Sequence, residues 1–120
     1  MSLEFISSMA ATDKVTLFLQ DWAKEAEKRT NGAVTIAVHP VGTIVPPPQA
    51  YDAVVKGIAD AAWAPLAFNP GRFPLSELLD LPLGLTNNKL SSDMANAYFK
   101  KFQPKELGDV KVLTFAMSPP

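Results

Sequence analysis

Gly57-Ile58-Ala59-Asp60-Ala61-Ala62-Trp63-Ala64-Pro65-Leu66-Ala67-Phe68-Asn69-Pro70-Gly71-Arg72-Phe73-Pro74-Leu75-Ser76-Glu77-Leu78-Leu79-Asp80-Leu81-Pro82 decides how this chain folds. Gly57 reads as a helix stop, because glycine takes positive φ without a Cβ clash. Residues 58–64 are rich in small residues, as in a buried strand. The strand then enters a loop stiffened by Pro65, Pro70 and Pro74 that carries Phe68, Arg72 and Phe73. Each proline fixes φ, so such a loop holds its side chains with little freedom to lose on binding. A stiff aromatic loop at the end of a strand suits a binding site. It also suits a well-packed corner.

Upstream of this stretch, residues 46–48 are three consecutive prolines, and proline is favoured in a first helical turn. A helix over 48–56 is expected, with Tyr51, Val54 and Val55 as its buried side. Before it, Val34, Ile36 and Val38 alternate with Thr35 and Ala37, the period of a strand. That strand stops at His39-Pro40. His39 is the only histidine, has no Asp, Glu or Cys close in sequence, and reads as a strand-end residue. Further upstream, Val15, Phe18, Leu19, Trp22 and Ala26 recur at spacings of three and four. They predict a helix over 13–29 with Trp22 in the core, Thr12 as its cap and Asn31-Gly32 as its stop. A first strand over 3–7 precedes it, joined by the turn Ser8-Met9-Ala10-Ala11.

Downstream, residues 75–79 predict one or two helical turns stopped by Pro82. A further helix starts at Asn87 or Ser91 and runs to about 102, with Met94, Ala97, Tyr98 and Lys101 on one face. Pro104 and Gly108 interrupt the chain before a fourth strand over 110–116, and the chain ends on Ser118-Pro119-Pro120. Strands alternating with helices predict an α/β fold, a mostly parallel sheet of about four strands with helices on both faces.

The chain has 120 residues, of which 48% are hydrophobic and 19% charged, so it suits one domain and argues against disorder. Its net charge is −1 with no basic face, so nucleic acid is not expected as a partner. It has no cysteine, which excludes disulfides and thiolate metal sites. No apolar run approaches a membrane span. The first residues lack the charged-then-apolar order of a signal peptide, which is compatible with a leader already removed. No Gly-x-Gly-x-x-Gly, phosphate loop, Gly-x-Ser-x-Gly elbow or His-x-x-x-His is present, so no cofactor or catalysis is expected. The carboxylates of Glu25/Glu27 and Glu77/Asp80 read as solvated faces.

In open α/β sheets ligands sit at the carboxyl ends of strands where the strand order reverses. With a 2-1-3 order, that crevice lies between the turn after strand one and the loop after strand three. The candidate ligand-binding residues are therefore Ser8, Met9 and Ala10 on one side, and Trp63, Pro65, Phe68, Asn69, Arg72 and Phe73 on the other. The first group offers a hydroxyl and backbone N–H groups at a helix N-terminus, suited to an anion. Arg72 either grips a carboxylate or pins its own loop, and its Gly and Phe neighbours favour the second.

These residues carry a resemblance. Trp22-Ala23-Lys24-Glu25 followed by Thr30-Asn31-Gly32, the run Tyr51-Asp52-Ala53-Val54-Val55-Lys56-Gly57-Ile58-Ala59-Asp60, and Pro70-Gly71-Arg72-Phe73-Pro74-Leu75 with Leu81-Pro82 resemble the DctP-like solute-binding proteins of tripartite ATP-independent periplasmic (TRAP) transporters. Lys111-Val112-Leu113 fits their fourth strand. The resemblance implies a type II periplasmic-binding-protein fold and a periplasmic receptor that closes around a small organic acid and delivers it to a TRAP membrane permease. It places Ser8 and its neighbours, Pro65 and Phe68 on the cleft wall of the first domain. The exit of strand two departs from the family's Tyr-Pro-Gly-Gly-type turn, reading His39-Pro40-Val41-Gly42. The first turn carries Ser7-Ser8-Met9 where the family often has His. The resemblance also implies a second domain, bearing the arginine that pairs with the ligand carboxylate, which these residues do not include. The chain is then expected to be part of the first domain, weak in binding alone and prone to pair as a homodimer, unless it is a stand-alone interaction module.

Overall fold

The computed structural model describes residues 1–81, 84 and 87–117. Pro82 and residues 118–120, named above as a helix stop and the chain's ending, lie outside them. The described chain forms two compact units, Met1–Phe68 and Asn69–Pro120.

The first unit holds a parallel sheet of three strands, β1 (Ser2–Ser7), β2 (Thr35–His39) and β3 (Ala61–Trp63), in the order β2-β1-β3. Phe5 stands beside Val38 on one side and Ala61 on the other. Successive residues of β1 face opposite sides, so the strand feeds two packing layers. Phe5 and Ser7 face α1 (Lys14–Arg29), where Phe5 meets the edge of Trp22 at 6.0 Å between ring centroids. Ile6 faces α2 (Ala50–Val55) and forms a core with Ala50, Ala53 and Ala59, each almost wholly buried. Helices thus cover both faces, as expected.

Three details of the helices differ from the sequence reading. Asp13, not Thr12, caps α1: its carboxylate accepts from the Val15 N–H at 2.8 Å. The buried line of α1 is Thr16, Leu19 and Ala23, while Phe18 and Trp22 are exposed, Trp22 at 41%. The small side chains let the helix approach the sheet closely, which turns the larger ones outward. In α2 the expected Tyr51 is buried, but with Ala50 and Ala53 rather than the valines: Val54 is half-buried and Val55 is exposed. The helix stops where predicted, at Gly57 with φ +70°.

His39 has a partner that the sequence hides. Glu4, 35 residues away, stands two register positions along the neighbouring strand, and its carboxylate hydrogen-bonds the His39 ring. The Glu4 backbone is tied in turn to the region before β3. Its N–H donates to the Asp60 carboxylate at 2.8 Å and its carbonyl accepts from the Asp60 N–H at 2.9 Å.

The second unit contains α3 (Asn88–Phe102), capped by the Asn87 side chain, which accepts from the Lys89 and Leu90 N–H groups. Its most buried residues are Ser91 and Ala95; Ala97, expected on the buried face, is exposed. The fourth strand expected over 110–116 does not form. Its backbone is held by side chains of α3 instead of a ladder. The Asn96 amide donates to the Phe115 carbonyl and accepts from the Phe115 N–H, both at 2.8 Å, and Ser92 Oγ accepts from the Met117 N–H at 2.9 Å. The sheet therefore has three strands rather than about four.

A carboxylate organises the loop of this unit. Glu106 accepts the N–H groups of Leu75 and Ser76 at 3.1 and 2.6 Å, just ahead of the 3₁₀ turn Glu77–Asp80. Burial raises its pKa, but the hydrogen bonds from the Ser76 and Leu75 N–H groups outweigh this and hold the carboxyl below its ordinary value. A depressed carboxyl stabilises the fold above its unfolded pKa, and that stability is lost as pH falls through the lower folded value. Glu106→Gln is expected to cost about 1 kcal/mol at neutral pH and to flatten the acid limb below about pH 5. Urea titrations at pH 7 and pH 4 check this; equal losses for both proteins on acidification would overturn it.

Candidate functional site

The 2-1-3 strand order puts the ends of β1 and β3 side by side. The Ser8 N–H continues their pairing by donating to the Trp63 carbonyl at 3.1 Å. Ser8, Met9 and Ala10 and the exit of β3, with Trp63, Pro65 and Phe68, thus share the carboxyl end of the sheet in one unit. Ser8 is buried, Met9 half-buried and Ala10 exposed. Trp63 and Pro65 are half-buried, and Phe68 is 41% exposed on the 3₁₀ turn Leu66–Phe68. That turn closes by a bond from the Phe68 N–H to the Pro65 carbonyl at 3.2 Å.

The turn after β1 is held from beneath by two hydroxyls that the sequence did not single out. Ser7 Oγ and Thr16 Oγ1 lie 2.7 Å apart, and both side chains are completely buried. Met9 N–H donates to Ser7 Oγ at 3.3 Å, and Thr16 Oγ1 donates to the Met9 carbonyl at 3.4 Å. The same carbonyl accepts from the Val41 N–H at 2.9 Å, joining the exit of β2 to the turn. A threonine on the buried line of an otherwise apolar helix face was the available signal, since a buried hydroxyl needs a partner.

Two observations change the expected chemistry of the turn. The Asp13 carboxylate already caps the N-terminus of α1, so a ligand anion there would meet a like charge. Ser8 Oγ, by contrast, is buried and hydrogen-bonds to no protein group. The turn thus holds one buried hydroxyl without a protein partner, on the segment whose backbone pairs with Trp63.

Asn69, Arg72 and Phe73 belong to the second unit. The Asn69 carbonyl accepts from the Arg72 N–H at 3.1 Å. The exposed Arg72 guanidinium stands 5.3 Å from the centroid of the Phe73 ring, an interaction within its own loop. Phe73 is 1% exposed and fills the interior of its unit rather than presenting a face to solvent. Elsewhere, a shallow depression of about 190 Å³ lies between α1 and β2, lined by Gln20, Ala23, Lys24, Glu27, Ile36 and Val38, and no expected site residue borders it. Among the described residues no group of three or more His, Asp or Glu could hold a metal, and no helix is long and apolar enough to cross a membrane.

The family described as bacterial extracellular solute-binding protein, family 7 (DctP), matches residues 5–118. The fold is similar to that of a TRAP periplasmic solute binding protein from Desulfovibrio salexigens, with 35% identity and a TM-score of 0.92, over 100% of this chain and 38% of that one. It is similar to a TRAP solute binding protein from Rhodoferax ferrireducens in complex with copurified benzoate, at 26% identity and TM-score 0.89, over 97% of this chain and 37% of that one. A marine metagenome TRAP solute binding protein specific for aromatic acid ligands, in complex with metahydroxyphenylacetate, matches at 26% identity and TM-score 0.92, over 100% of this chain and 38% of that one. The chain therefore spans less than two-fifths of the length of these proteins.

Proposed function

The chain belongs to bacterial extracellular solute-binding protein family 7, a family of receptors and not of enzymes, and from that premise we propose that it forms one wall of a receptor for a small organic acid. In this reading residues 1–120 are part of the first α/β domain of a longer, two-domain periplasmic protein that hands its ligand to a TRAP membrane permease. The observation that carries the reading is the meeting of the β1 and β3 exits at the Ser8–Trp63 bond, which brings the turn 8–10 beside the segment carrying Trp63, Pro65 and Phe68. An acid cap on α1 and the aromatic flanks suit the uncharged body of the ligand. Its carboxylate is then met by a cation from the remainder of the receptor. The aromatic acids bound by the Rhodoferax and marine proteins support an aromatic carboxylate as the ligand class. Ser8, Met9, Ala10, Trp63, Pro65 and Phe68 line this wall. Asn69, Arg72 and Phe73 hold their own segment of the second unit together, through the Arg72–Asn69 backbone bond and the Arg72–Phe73 stack.

Calorimetric titration tests this with benzoate, mandelate and an aliphatic acid, on the 120-residue chain and on the product of the complete native reading frame. The complete product is expected to bind an aromatic acid at micromolar concentration, and Phe68→Ala to weaken that binding about tenfold, the scale of one lost aromatic contact. The chain alone is expected to bind only at millimolar concentration, having one wall. Micromolar binding by the chain alone would overturn the one-wall reading. Absence of carboxylate binding by either protein, with a dimeric mass by light scattering, would favour a self-associating interaction module.

A further inference from the structure

The hydroxyls beneath the turn close into a ring. Thr16 has one hydroxyl proton, and Thr16 Oγ1 donates it to the Met9 carbonyl. Ser7 must then be the donor in the 2.7 Å contact with Thr16 Oγ1. Met9 N–H completes the circuit by donating to Ser7 Oγ. Each donor has one acceptor, and both the N–H and the carbonyl of Met9 are fixed by the same pair of buried side chains. The Met9 carbonyl uses its second lone pair on the Val41 N–H.

We infer that Thr16, inside α1 and on no surface of the crevice, is the positioning residue for the ligand-facing turn. It orients the Met9 peptide through Ser7 and so holds Ser8, whose hydroxyl the protein itself leaves unused, in one place. This inference rests on the receptor reading for what the turn faces, but not for the ring itself. Pre-organised turns lose less freedom on binding, so the ring acts on affinity without touching the ligand.

Valine is nearly isosteric with threonine, so Thr16→Val keeps the packing and opens the ring, leaving the Ser7 proton without its buried acceptor. Amide hydrogen exchange on the unliganded chain reads the result. The Met9 amide is expected to exchange about fivefold faster, the scale of one lost neutral hydrogen bond. The interior helix amides of Leu19 and Ala23 should keep their rates. Thr16→Ser, which restores a hydroxyl, should return Met9 to its original rate, and Ser7→Ala gives the same readout from the other side of the ring. An unchanged Met9 rate in both ring-opening variants, or an equal acceleration at Met9, Leu19 and Ala23, would overturn the positioning role. Because no ligand is present, failure of benzoate to bind counts against the receptor reading and leaves this result standing.

Discussion

Phe73→Ala is expected to destabilise the second unit by about 3–5 kcal/mol, the range for removing a fully buried phenylalanine. The side chain is 1% exposed and is the largest fully buried side chain among the described residues. Its removal takes away the transfer free energy of the ring and leaves a cavity; the other buried residues described in this unit are Ser76, Leu79, Ser91, Ala95 and Leu107. Arg72 loses the ring beneath its guanidinium at the same time. Both tryptophans, Trp22 and Trp63, lie in the first unit, so their fluorescence does not report on this change. Hydrogen exchange across α3 does, and urea unfolding followed there should show the full loss. A loss under about 1 kcal/mol would mean that the second unit closes around the missing ring.

In the first unit the corresponding weak point is Ile6. Ile6→Ala is expected to cost about 2–5 kcal/mol. Ile6 is 2% exposed, and its buried neighbours are Ala50, Ala53 and Ala59, none of which has a rotamer with which to fill the space. Refilling the space would require Ile44 or Val45, which pack against the same cluster, to turn into it, or α2 to move toward the sheet. Tryptophan fluorescence is the right probe here, because Trp22 packs on Phe5 and Trp63 pairs with Ser7, both on the same strand as Ile6. A midpoint shift in urea without a change in slope is the expected signature. A shift worth under 1 kcal/mol would mean that the alanine-lined side of the sheet adapts.

Much of this architecture was legible in local sequence. The alternation of Val34, Ile36 and Val38, the glycine at 57 and the asparagine at 87 gave a strand, a helix stop and a helix cap from chemistry within a few residues. The errors share a cause. Trp22 and Phe18 look like core because they are large, yet the sheet accepts the side of α1 that carries Thr16 and Ala23, and only Ser7 on another element explains why a threonine fits there. His39 looked isolated until parallel pairing brought Glu4 beside it. The segment at 110–116 has the composition of a strand, but Asn96 supplies the hydrogen bonds that a neighbouring strand would have made. For the site, the two loops could be named from topology. That Asp13 occupies the helix end while the Ser8 hydroxyl is left over could not, because both follow from which groups find partners in three dimensions.

The strand order has a consequence during synthesis. β1 is the central strand of the sheet, yet it leaves the ribosome before either of its neighbours. Until β2 has been made, some thirty residues later, Ser2–Ser7 is a short strand carrying Leu3, Phe5 and Ile6 with two open edges, the kind of segment that pairs with copies of itself. Glu4 puts a charge in the middle of it, as gatekeeper residues do in aggregation-prone stretches. Once His39 arrives, the same carboxylate becomes part of the sheet's own bonding. One side chain thus charges an open-edged strand and, in the folded sheet, fastens it to its neighbour.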